Sequence, residues 1–187
     1  MKKISERNLK TMLKYTFDDL MRFRKPGNSY IACQSGDYTS ICNFSIVGLP
    51  LHFDDDCIFA NGTVFGHNNI FGKCCKFGAA CQFGYECIFG CCSEFGKHCR
   101  FEQSCIFGSY SIFDDFCEFG ILQEFYGSIF GDGCKFAGHS YFRKNIEFGD
   151  FCEIGNSNFL GINTSFGEGC KLGHRNRQKI FGIQYFA

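Results

Sequence analysis

Large apolar, small and polar positions recur along this chain with a period of six. Cys75-Lys76-Phe77-Gly78, Cys81-Gln82-Phe83-Gly84 and Cys87-Ile88-Phe89-Gly90 carry the unit most plainly. With the Phe position taken as an anchor, the pattern runs from Ser35 through Ile41, Val47 and Phe53, then every six residues to Phe125. The next anchor, Phe130, comes one residue early, and the period of six then resumes to Leu172, giving 24 anchors of which 18 are Phe. A unit this short predicts one strand and one corner. Strand side chains alternate, so the anchor and the small Cys, Ser or Thr two residues before it fill one interior, and the residue between them points out. The Gly after the anchor is expected to supply a corner conformation that a Cβ would disfavour. Three units close one coil, so the spacing predicts about eight triangular coils with a rise of ~4.8 Å each.

Stacking by eighteen assigns the outward residues to faces. The first face reads Gln34, His52, Ile70, Ile88, Ile106, Glu124, Tyr141, Phe159. The second reads Ser40, Ile58, Lys76, Glu94, Ile112, Ile129, Glu147, Ser165, and the third Ile46, Val64, Gln82, Arg100, Glu118, Lys135, Glu153, Lys171. Charges on the third face alternate so as to pair between coils. On the first, Ile70, Ile88, Ile106, Tyr141 and Phe159 form an apolar stripe broken by Glu124. Such a stripe marks either self-association or docking of the chain's own helix.

That helix is expected over roughly residues 5–23, where Leu9, Met12, Leu13, Phe17, Leu20 and Met21 recur at helical spacing. Its expected role is a plug over the open end of the rod, where unpaired strand edges invite aggregation. The organisation read here is an amphipathic helix and linker over 1–30, a β-helix over 31–173, and a basic and apolar tail over 174–187 that docks on the rod or on a neighbour.

The unit resembles that of the hexapeptide-repeat, left-handed β-helix family: an aliphatic anchor, Gly, two variable residues, a small residue and another variable one. The resemblance covers about three-quarters of the chain and implies left-handed winding. Phe replaces the family's usual Leu, Ile or Val, which implies a differently packed coil. Pentapeptide-repeat proteins also use central Phe and Cys, but only the Phe125–Phe130 step has their spacing. The fold class expected is therefore an all-β solenoid, a left-handed parallel β-helix with an N-terminal α-helix.

Composition adds a compartment and a charge map. No apolar run approaches the ~18 residues of a membrane-spanning helix, and the N-terminus lacks the apolar core of a secretory signal. The 15 cysteines are odd in number and concentrate at the small interior position. They read as free thiols acting as small fillers in a reducing, cytoplasmic compartment. The zero net charge divides into +5 over residues 1–30, −9 over 31–170 and +4 over 171–187.

The resemblance implies an acyltransferase that uses acyl-CoA, with a His as general base. His52, His67, His98, His139 and His174 are the available histidines. None has a carboxylate orienter by spacing, and the family's long active-site loop and its Asn-Pro-Ala type segment are both missing. Cys74, Cys91 and Cys92 share one corner, but no fourth metal ligand accompanies them, so neither a metal nor another cofactor is expected. The sharper feature is an acidic ridge: Asp115, Asp132, Asp150 and Glu168 recur at one corner position on four successive coils. Lined-up like charges are costly. They read as turn residues that also solubilise the rod, or as a surface that meets a basic partner. The function expected is a non-catalytic protein-interaction rod, without a cofactor and oligomeric, of the kind a phage or plasmid encodes to inhibit a basic, nucleic-acid-handling protein. A CoA-dependent acyltransferase and a structural assembly subunit are the alternatives. Direct nucleic-acid binding is not expected of the acidic body, though the basic ends could touch it.

Overall fold

The computed structural model describes residues 13–23, 30–44, 49–180 and 183–186, with side chains through 178. From Leu51 to Ile180 the chain is a parallel β-solenoid, part of an all-β rod of about eight turns, and the last described strand, Ile183–Phe186, pairs antiparallel with Arg177–Ile180. Strands pair with the equivalent strand one turn away, as in Gln82↔Arg100↔Glu118 and Ile70↔Ile88↔Ile106. Three stacks of strands run the length of the rod, and the outward rows from His52 onward are those the period assigns. Near the C-terminal end the strands lengthen. Tyr141–Phe148 and Phe159–Phe166 each run on through a corner, so two of the stacks merge into one sheet.

Inside, the Phe anchors organise one another. Within a turn, Phe83, Phe89 and Phe95 are mutually perpendicular, with centroids 5.1, 5.1 and 5.8 Å apart. Between turns, Phe83 lies parallel to Phe101 at 4.8 Å. Along the middle of the rod each ring therefore has edge-to-face neighbours in its own turn and stacked neighbours above and below, the two arrangements that the ring quadrupole favours. The small position follows from hydrogen bonding as well as size. Cys81 and Cys99 donate to the carbonyls of Ala60 and Gly78 at 3.3 Å. Thr63, Ser93 and Asn69 at the same position donate to the carbonyl three residues back. A buried hydroxyl or amide is tolerated there because its partner is built into the corner.

The corner glycines act differently from the sequence expectation. The left-handed backbone falls three residues after each anchor, at seventeen non-glycine positions from Asp56 to Arg175 and at Gly62, Gly133 and Gly169. In the one short step, Gly127 takes this role two residues after Phe125. The Gly directly after the anchor has no such φ; its role is clearance. A Cβ on Gly90 would lie 2.6 Å from the Gly72 backbone one turn below, and one on Gly108 2.6 Å from the Cys91 nitrogen.

The first turn departs from the extrapolated register. Ser35 is exposed, and Val47 lies outside the described residues. Ile41 is buried as expected, but the places beneath Phe53, Phe59 and Phe65 are filled by Cys33, Tyr38 and Phe44. Phe44 stacks on Phe65 at 5.0 Å and Tyr38 on Phe59 at 5.6 Å. Ala32 rather than Gln34 pairs with His52, Asp37 rather than Ser40 with Ile58, and Asn43 takes the place assigned to Ile46, which is not described. Aromatic rings that continue the existing stacks outweigh strict periodicity here.

The expected helix is also shorter. Phe17–Arg22 is helical, opened by a Thr16–Asp19 capping box, while the stretch assigned to 5–12 lies outside the described residues. Leu13 to Tyr15 is extended and pairs with Asp37 through Tyr15 N–H to Asp37 O and Asp37 N–H to Leu13 O, both 2.8 Å. Leu20 is buried, but Leu13 is 66% exposed. Tyr15 stacks on Tyr38 at 4.9 Å and Phe23 packs edge-on against Tyr15. The open edge of the first turn needs backbone partners, which an extended segment supplies and a helix cannot.

Candidate interaction surface

The acidic ridge is brought together as its spacing requires, and its carboxylates have a structural task. Asp115 Oδ1 accepts the Asp132 N–H at 3.0 Å, Asp132 Oδ1 the Asp150 N–H at 2.8 Å, and Asp150 Oδ1 the Glu168 N–H at 2.7 Å. Each carboxylate thus holds the corner one turn above with one oxygen. Asp55, Asn61 and Asn156 do the same elsewhere on the rod. At Asp115 the second oxygen meets Lys97 Nζ at 2.7 Å. The Lys97 ammonium first and the Asp132 N–H second hold its carboxyl below the usual range. These hydrogen bonds offset the like-charge cost of the file, a compensation that the sequence signals only through the recurrence of Asp and Asn two residues after the anchor.

The apolar stripe is also in place. Ile70, Ile88 and Ile106 are in register and 37–41% exposed, and Tyr141 and Phe159 continue the row. Glu124 interrupts it, bound by the Arg143 guanidinium and by the Tyr126 hydroxyl at 2.6 Å. The Phe17–Arg22 helix packs at the first turn, through Leu20, and leaves these isoleucines exposed. On the third face the charges pair between turns: Arg100 with Glu118 at 3.0 Å, and Lys135 and Lys171 with Glu153 at 3.7 and 3.4 Å.

The histidines do not converge. His67 stacks on Tyr85 at 3.8 Å and His98 on Phe116 at 5.3 Å, on different corners. His139 lines an open groove of about 440 Å³ with Leu122, Tyr141, Phe159, Arg175 and Arg177. Among the described residues, no three His, Cys, Asp or Glu side chains are placed to hold a metal ion. Ten cysteines are buried and Cys42, Cys74, Cys91, Cys92 and Cys170 are not; all are free. Burial pushes the Cys33 thiol up to about 12. At Cys75 and Cys105 contact with the neighbouring thiol, and then burial, raises it further. No described helix is long and apolar enough to cross a membrane.

Comparison with known proteins adds no relative: no protein-family model, curated protein or solved structure matches the chain.

Proposed function

We propose that this chain is a non-catalytic interaction protein, a rigid rod that presents the Asp115, Asp132, Asp150 and Glu168 ridge to a basic, nucleic-acid-handling protein and inhibits it. The observation that carries the reading is the carboxylate ladder. One oxygen of Asp115, Asp132 and Asp150 is fixed to the turn above, so the charges stand at the ~4.8 Å turn spacing before any partner arrives. Preorganised groups lose little entropy on association, and a one-sign file steers an oppositely charged surface toward it. The reading includes left-handed triangular coils, a reducing cytoplasm, a phage or plasmid setting, and self-association through the Ile70, Ile88 and Ile106 stripe.

The test is an affinity capture from host lysate, with the wild-type rod and a variant carrying Asp115→Asn, Asp132→Asn, Asp150→Asn and Glu168→Gln. Asn keeps an oxygen for the ladder and removes the charge. A basic partner captured by the wild type and lost by the variant supports the ridge; a partner retained by a folded variant sinks it. The acyltransferase alternative rests on His139 in the groove, and predicts that CoA raises the unfolding temperature by binding only the native state.

A further inference from the structure

At the C-terminal end of the acidic rod, a second surface has the opposite character. The first-face row there reads Tyr141, Phe159, Arg177 on successive turns. Tyr141 is 48% exposed and its ring centroid lies 6.4 Å from that of Phe159. Beside this row runs a corner line of His139, Ser157 and Arg175, tied turn to turn by His139 N–H to Asn156 O and Ser157 N–H to His174 O. Row and line are the walls of the open groove, and its floor includes buried Asn158, whose amide donates to Gly155 O. On the other side of the row, the Tyr141–Phe148 strand continues into exposed Arg143 and Lys144. The Arg143 guanidinium sits 5.3 Å from the Tyr141 ring centre. An exposed ring, Tyr141, and a half-buried one, Phe159, therefore lie between Arg175 on one side and Lys144 with the Glu124-paired Arg143 on the other.

We propose that this aromatic and cationic patch binds single-stranded nucleic acid, with bases stacked on Tyr141 and Phe159 and phosphates held by Arg175 and Lys144. The chemistry matches on both counts. Aromatic faces take unpaired bases with little regard to sequence, and a cationic groove tracks the backbone. A duplex hides its base faces and could use only the charges. The body, at −9 over residues 31–170, repels polyanions and confines them to this pole. The inference goes beyond the protein-partner reading and does not depend on it, since the acidic ridge lies on a different corner.

Fluorescence anisotropy on the full chain, with labelled oligouridylate and oligothymidylate of about twelve nucleotides at low salt, tests it. Saturable binding is expected, weakened about 5- to 100-fold by either Tyr141→Leu or Phe159→Leu. Arg175→Gln is expected to reduce the slope of log affinity against log salt by about 0.7. Arg100→Gln on the third face serves as the control and leaves binding unchanged, as does the charge-neutral ridge variant. Circular dichroism establishes that each variant is folded. Three results overturn the proposal: no saturable binding, binding by folded variants that ignores both aromatic replacements, or a mononucleotide or CoA bound as tightly as the oligomer.

Discussion

Replacing Phe107 tests whether the interior is held by ring geometry or only by apolar area. Phe107 is fully buried, stacked on Phe89 and Phe125 at 4.9 Å each and edge-to-face with Phe101 and Phe113 at 5.0 Å each. Phe107→Ala leaves a cavity walled by neighbouring rings, each held by its own stack, so little collapse is available. The cost should approach the upper end of the usual range, about 5 kcal/mol. Phe107→Leu is the sharper test. A volume-conserving apolar swap ordinarily costs less than about 1.5 kcal/mol. Aromatic pairs contribute about 0.5–1.5 kcal/mol each beyond area, and four close pairs vanish here. Without full additivity, a loss of about 2–4 kcal/mol is expected. Phe166→Leu is the internal control, because Phe166 is half-buried and stacks only on Phe148 among the described residues, at 5.0 Å; it should cost under about 1 kcal/mol. Guanidinium unfolding followed by circular dichroism supplies the midpoints. The slope must be checked for each variant, since a solenoid can lose an end before it loses its middle. A Phe107→Leu cost below about 0.5 kcal/mol at unchanged slope refutes the ring-ladder argument.

Four further perturbations probe the corners, the thiols and the ridge. Glu86 is exposed and has φ 59°, so Glu86→Gly should stabilise the rod by about 1 kcal/mol. Gly90→Ala should instead destabilise it by about 1–3 kcal/mol through the contact with Gly72; equal and opposite results in denaturant midpoints would reverse the assignment of the two corner roles. A thiol reagent should label Cys42, Cys74, Cys91, Cys92 and Cys170 quickly and the ten buried cysteines only on unfolding; mass spectrometry of a short pulse reads the pattern. The Asp115 pKa is depressed in the folded state. Its contribution is therefore full above the unfolded value and lost as pH falls from about 4 toward the folded one. Lys97→Gln should remove part of the midpoint's decline over that acid range and leave its value near neutrality almost unchanged, because an exposed pair contributes little.

The sequence by itself determined the strand period, the interior composition, the outward rows from His52 onward and the shortened corner at Gly127. A six-residue unit leaves few ways to bury a Phe and a Cys on one side of every strand, so each repeat restates the same instruction. It also located the acidic ridge and the apolar stripe, since both follow from stacking by eighteen. What the tertiary structure decided are the relations between turns. At Gly90 and Gly108 the residue after the anchor has no room for a Cβ against the backbone of the turn below, a neighbour that local propensity cannot reveal. The left-handed residue lies two positions further on and is a non-glycine residue at seventeen positions. Cys33 took the place expected of Ser35, and Tyr38 and Phe44 took the places beneath Phe59 and Phe65, because stacked rings are worth more than an unbroken count. The aspartates became a ladder, and Tyr141 and Phe159 gained cationic flanks, only once the turns were stacked and residues seventeen or eighteen apart became nearest neighbours.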